Sequence, residues 1–317
     1  MPWKDRYTTS DERTLDRVQW PDGAPCALIV TVDLSPACGP DGITPKELEA
    51  EDTEYAMHVG IRRLLDAFER HRVAATFATP AIIAETWPER VREITARGHE
   101  VAAHGARHED PGRLARAEEQ ERIARATATL ANIAGARPHG WYSLPRPGDR
   151  YAGGQVSPHT IDLLIDAGYE HFGNGLADDI PYYWVTDVAT RRSLLSMPYY
   201  PHFDDQFFLM FPAPGKGSGL ERPAPLHTNW IRELEAARAF GRCFAITIHP
   251  HLVAWGGRLG LLDDVLARAT SEPPAWKATG SACARWFTAA YPAATSLRLE
   301  PSIWTDHPGS LSREGYR

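Results

Sequence analysis

No apolar segment approaches the roughly 20 residues that a membrane-spanning helix needs, and the first sustained apolar run begins only near Ala27. The opening residues, Met1-Pro2-Trp3-Lys4-Asp5-Arg6, are polar, so they read as neither secretory signal nor anchor, and a cytoplasmic protein is the expectation. No block of Lys or Arg stands out, and acidic residues outnumber basic ones, 41 to 34, for a formal net charge of -7. Nucleic acid and membrane are therefore set aside as partners. Cysteine is scarce: Cys26, Cys38, Cys243 and Cys283 form no CxxC pair. That spacing argues against a zinc ribbon and a disulfide framework, leaving reduced thiols as small apolar side chains. A Walker A loop, a GxGxxG after a strand, a GxSxG elbow and any internal repeat are also lacking.

What remains is a strand-helix alternation in a chain of 317 residues, long enough for one large α/β domain. Apolar runs predict strands over 27–33, 73–78, 101–103, 169–172, 194–197 and 243–248, with another opening at 138–142. Amphipathic periodicity predicts helices over 53–71, 88–97, 114–133, 160–167, 229–240, 259–269 and 281–290. The pattern implies a parallel sheet with right-handed crossovers, either a barrel or a doubly wound layer. Residues 1–24 read as an N-terminal arm, 25–300 as a catalytic domain and 301–317 as a polar tail. The Pro- and Gly-rich segments 35–46 and 143–158 read as loops over a site, and 173–182 as a further loop.

Chemistry-bearing side chains gather at the ends of these strands. The run Val101 to Ala103 delivers His104 and His108, four residues apart between Gly98 and Gly105 and beyond. Two such imidazoles can reach one point and form half of a metal site that activates water; a hydrogen-bonded pair of surface histidines is the other reading. Asp33 closes the first strand and His249 the last, at the rim where ligands bind in open and barrel α/β folds. For Asp33 a helix-capping or turn role is the alternative. Asp178 and Asp179 orient a base, bind substrate or stand as solvated turn carboxylates. Tyr199, Tyr200, His202, Phe203, Asp204 and Asp205 form an aromatic and acidic cluster suited to a small ligand or to plain core.

Taken together, Val32-Asp33, Gly98-His99-Glu100 with His104-x-x-x-His108, Gly140-Trp141, Asp178-Asp179-Ile180-Pro181-Tyr182 and Thr247-Ile248-His249-Pro250 resemble the polysaccharide deacetylase family. The resemblance runs from about Pro21 to Ala269. It is nearest to the branch holding cyclic imide hydrolases, peptidoglycan-deacetylase-like cytoplasmic enzymes and a metal-independent allantoinase. It implies a deformed (β/α) barrel of fewer than eight complete units and hydrolysis of non-peptide C–N bonds. By position it makes Asp33 the general base, His249 the general acid, and His104 and His108 ligands of a divalent metal ion, zinc first. Trp141, Tyr142, Asp178 and Asp179 are the substrate-binding candidates, and the branch implies a homo-oligomer.

Three departures bear on that reading. Ser35 stands where the family carries a second aspartate, so metal affinity falls unless Asp33, Asp41 or a water-held group substitutes, and the metal becomes dispensable. Tyr142 replaces an arginine after Gly-Trp, and His251 replaces an aspartate after His-Pro. The expected function is hydrolysis of a small amide or cyclic imide. A carbohydrate N-deacetylase is the second reading, and a pseudoenzyme with a degenerate metal site serving binding or assembly the third.

Overall fold

The computed structural model describes residues 8–9, 17–146, 156–187, 190–209 and 222–296. Ten strands form one sheet: β1 (Thr8–Thr9), β2 (Ala27–Asp33), β3 (Thr76–Thr79), β4 (Glu100–Ala103), β5 (Gly140–Tyr142), β6 (His171–Gly175), β7 (Tyr182–Asp187), β8 (Arg192–Pro198), β9 (Cys243–Ile248) and β10 (Trp276–Ala278). Strands β9, β2, β3, β4, β5, β6 and β8 run parallel and curl into an incomplete barrel. Between β8 and β9 only the isolated parallel bridge Asp204–Thr247 crosses the seam among the described residues. This is the expected α/β architecture with a deformed barrel.

Side-chain alternation explains how the barrel presents chemistry inward. Along β2, Leu28, Val30 and Val32 join the large outer core, whereas Ala27 and Ile29 join a second cluster with Cys243 and Ala278. Asp33 shares the phase of Ala27 and Ile29, so it projects into the barrel. On β9, Phe244, Ile246 and Ile248 are outward and fully buried, which gives His249 the opposite, inward phase. Each such apolar side chain contributes roughly 1.5–3 kcal/mol on burial, fixing the register. That register pairs Val32 with Ile248, so Asp33 and His249 emerge side by side.

Helices cover the outside: α1 (Ile61–His71), α2 (Pro88–Ala96), α3 (Arg116–Ala134), α4 (Thr160–Asp166), α5 (Pro223–Phe240), α6 (Pro250–Val253) and α7 (Gly256–Thr270). A π-helical turn, Ala56–Gly60, leads into α1. There a Cβ on Gly60 would lie 2.7 Å from the Pro250 carbonyl oxygen, so glycine lets the turn press against the segment after His249. A further helix, α8 (Gly280–Ala290), lays Cys283, Ala284 and Phe287 against Ala27, Ile29 and Cys243 and closes the amino end of the barrel.

Several elements depart from the sequence expectation. β7 was expected to be loop at its start, yet Tyr182–Asp187 pairs antiparallel with β8, and β1 of the arm pairs antiparallel with β7. Its aromatic and β-branched run, Tyr182-Tyr183-Trp184-Val185-Thr186, carries strand propensity that the preceding Gly- and Asp-rich segment masked. The short helix Ala81–Thr86 and strand β10 had no clear periodicity to announce them. Trp20 of the arm is buried against Trp276 and Trp286, with its indole N–H donating to the Gly241 carbonyl at 2.9 Å. The expected tail, 301–317, and most of the loop 147–155 lie outside the described residues. No helix among the described residues is long and apolar enough to cross a membrane.

Candidate active site

Asp33, His104 and His249 converge at the carboxyl ends of β2, β4 and β9, all at most 4 % exposed. Asp33 Oδ2 lies 3.5 Å from His104 Nε2 and 3.4 Å from His249 Nε2. Its other oxygen, Oδ1, accepts the Ser35 backbone N–H at 2.7 Å and the Ser35 hydroxyl. Ser35 is therefore a donor that holds the carboxylate in one rotamer. Oδ2 is left buried with no hydrogen-bond partner, facing into the site.

His249 is held from behind. Its Nδ1–H donates to Asp205 Oδ1 at 2.7 Å, and its backbone N–H donates to Asp205 Oδ2 at 3.0 Å. Asp204 Oδ1 is 3.8 Å from the same Nδ1. Asp204 in turn accepts the Tyr199 hydroxyl at 2.7 Å, and the Gln206 side-chain and backbone N–H groups at 3.0 Å each. This support, reached through the Asp204–Thr247 bridge, was not assigned from sequence. The Tyr199-to-Asp205 cluster was visible there, but nothing in its spacing pointed to His249.

Electrostatics separate the roles of these groups. Burial favours the neutral form of Asp33, but His104 and His249 outweigh it and hold the carboxyl well below its usual range. Burial likewise opposes charge on His249, yet Asp205 and Asp33 override it and raise its pKa well above the ordinary imidazole value. Burial pushes Asp205 up and Asp204 up to about 6. The proton of the His249–Asp205 pair rests on the imidazole, because both Asp205 oxygens accept from His249. The result is a carboxylate and an imidazolium facing each other across a gap too long for a good hydrogen bond.

His104 donates Nδ1–H to the Tyr142 carbonyl at 2.9 Å, which leaves Nε2 aimed at Asp33 without a partner. The His108 ring lies tilted against it with centroids 3.9 Å apart, but its Nε2–H donates to the Leu144 carbonyl at 2.9 Å. Its Nδ1 therefore faces Cys38 Sγ at 3.9 Å. Burial first, then His104, keeps His108 well below its ordinary pKa, hence neutral. Beside the two rings lies a cavity of about 30 Å³, also lined by Glu119, Trp141 and Ser143, enough to hold a water molecule.

Among the described residues, the set of three His, Cys, Asp or Glu ligand atoms lying within 4.8 Å of one another is Asp204, Asp205 and His249. Its carboxylates also accept from Tyr199, Gln206 and the His249 N–H groups. Asp33 and His104 offer two free lone-pair atoms, His108 turns its remaining nitrogen to Cys38, and Ser35 donates rather than ligates. As placed, the expected pair His104 and His108 bring their rings together, and Asp33 Oδ2 and His104 Nε2 are the atoms of this set left without a partner.

The substrate-binding candidates are dispersed. Trp141 packs edge-on to Tyr169 at 5.4 Å and reaches the small cavity. Tyr142 gives only its carbonyl to His104; its ring turns into the barrel against His171, and its buried hydroxyl lies near α8. Asp178 and Asp179 do not join Asp33. Both bind the Arg242 guanidinium, at 2.5 Å each, and Asp179 O accepts the N–H of Cys243 at the start of β9. Six residues of strand separate that point from His249, roughly 20 Å. They border a cavity of about 320 Å³ in the β8–β9 seam, behind Tyr199. Sequence adjacency to β6 suggested the rim, but the loop crosses the seam instead.

Residues 52–172 match the polysaccharide deacetylase family, a span that holds His104 and His108 but neither Asp33 nor His249. A peptidoglycan deacetylase of Helicobacter pylori is 27 % identical over 229 residues, covering 63 % of this chain and 74 % of that protein. A Mycobacterium smegmatis structure assigned as a polysaccharide deacetylase superposes with a TM-score of 0.74 at 28 % identity, over 90 % of this chain and 96 % of that one. An allantoinase structure shares the fold, with a TM-score of 0.73 at 22 % identity over 86 % and 94 %.

Proposed function

We propose that this chain, whose residues 52–172 match the polysaccharide deacetylase family, is a hydrolase of C–N bonds that opens a small amide or cyclic imide by general acid–base catalysis. The observation that carries this reading is the burial of the facing pair: Asp33 is 0 % and His249 4 % exposed. A sugar polymer needs an open groove past its catalytic groups, whereas a small ring enters a recess.

In the proposed reaction water attacks the carbonyl carbon while Asp33 Oδ2 takes its proton. His249 Nε2–H protonates the nitrogen as the C–N bond breaks, leaving a carboxylic acid and an amide or amine, joined in one molecule when the substrate is a ring. Each group starts in the required form. A substrate wedged between them separates Asp33 from the imidazolium, which raises its basicity as water arrives. Asp205 steadies the ring throughout and remains ionised.

The test is a panel of succinimide, maleimide and dihydrouracil set against N-acetylglucosamine oligomers, read by ring absorbance and by acetate release. Ring opening without acetate release is expected. Acetate release alone favours the second reading, a carbohydrate N-deacetylase, for which the similarity to the H. pylori enzyme speaks. Inactivity on every compound removes both.

A further inference from the structure

The seam between β8 and β9 encloses about 320 Å³ of space, against about 30 Å³ beside His104. That volume falls within the roughly 300–1,000 Å³ of small-molecule sites. Neither Asp33 nor His249 borders it, so a ligand held there is not the one hydrolysed. Leu176 and Tyr200 border it while 44 % and 49 % exposed, two of the five large apolar side chains that the described residues leave in solvent. Scattered singly, such side chains are ordinary; side by side at the edge of a cavity they are what a bound molecule covers.

The charge around this cavity is unbalanced. Asp178, Asp179 and the half-buried Glu233 of α5 border it, and one guanidinium, that of Arg242, serves the first two. No cation pairs with Glu233 among the described residues, and burial, then Asp179, pushes its carboxyl up. Burial and the hydrogen bond with Asp179 push Asp178 up as well, against the pull of Arg242. Three carboxyl groups beside one guanidinium favour a bound positive charge. A metal ion does not fit, since the oxygens of these acids do not gather within 4.8 Å of one another. An organic cation does: its charge rests by Glu233 and its body lies on the Tyr199, Tyr200 and Phe203 rings, whose faces attract cations and bury apolar surface. We propose that the seam cavity is a second binding site, for a small organic cation: an amine, amidine or guanidine on a flat or aliphatic body. The site shares no residue with the catalytic pair and stands apart from the hydrolase reading.

The experiment titrates benzamidine into the intact protein by calorimetry, with benzamide as a neutral counterpart of the same shape and benzoate as the anion. Benzamidine should bind roughly tenfold tighter than benzamide, and benzoate should not bind. Glu233→Gln should cut the benzamidine affinity about three- to tenfold and leave that of benzamide unchanged. Tyr200→Ala, at an exposed position that folding does not depend on, should weaken both compounds. Asp33→Asn should bind benzamidine as the wild type does, which separates the seam from the rim carboxylate. Equal affinity for benzamidine and benzamide, no binding of either, or a loss in Asp33→Asn with none in Glu233→Gln overturns the site.

Discussion

His171 at the floor of the barrel and His249 at its rim are both buried imidazoles close to acids, yet their surroundings differ in kind. His171 is 0 % exposed with both ring nitrogens unpartnered, but there is no room beside it. A Cβ on Gly140 would lie 2.3 Å from its Nε2, and one on Gly280 2.8 Å. The neighbouring acid, Glu100, is committed to Thr76, Ser281 and the Ser281 backbone N–H. At the rim, His249 is braced on one side by Asp205 and faces Asp33 across a gap on the other. A water-sized cavity adjoins the nearby His104. Unpaired atoms mark a reactive site only where a ligand can reach them; at the floor they mark tight packing.

The sharpest way to break this comparison is to disarm the rim. Asp33→Asn and His249→Ala should each lower kcat by roughly 10²–10⁴-fold with circular dichroism unchanged. If either variant retains full turnover, the rim is not the site of reaction. Disturbing the floor should do the reverse. Gly140→Ala overpacks against His171 and should cost about 1–3 kcal/mol in chemical denaturation while the folded fraction keeps its kcat.

Proton binding at the rim sets a third expectation. The folded pKa of His249 is raised, so its contribution to stability is complete below the unfolded value near 6.5 and is lost as pH rises through the folded value. Asp33 is lowered, so its contribution is present above its unfolded value of about 3.8 and lost as pH falls through its folded one. Unfolding free energy should therefore decline on the alkaline side, together with kcat, and His249→Gln should flatten that decline. The smallest effect concerns metal: chelation should leave wild-type turnover unchanged. Ser35→Asp supplies the missing carboxylate, and zinc should stabilise that variant alone, by as much as ~2.7 kcal/mol at a hundredfold excess over Kd, read as a higher melting temperature.

Much of this arrangement was legible from sequence because it depends on local alternation. The apolar phases of β2 and β9 place Asp33 and His249 inward, and both strands occur where the pattern puts them. What escaped depends on register and on packing across the seam. Asp204 and Asp205 reach His249 only because their loop bridges to Thr247, and Arg242 draws Asp178 and Asp179 away. Tyr142 turns inward because the glycines at 173 and 280 leave space for its ring, a reason written in distant segments. His108 adopts a positive φ of 57°, which reorients its ring in a way that four-residue spacing does not disclose.

The helix closing the amino end of the barrel makes the recess a blind alley. Among the described residues, α8 and the Tyr142 ring lie beneath the catalytic pair, so arriving and departing molecules share the rim. A spent ring-opened acid must back out before a fresh ring can enter, so that acid should compete directly with substrate, and a noncompetitive pattern would reveal a rear exit.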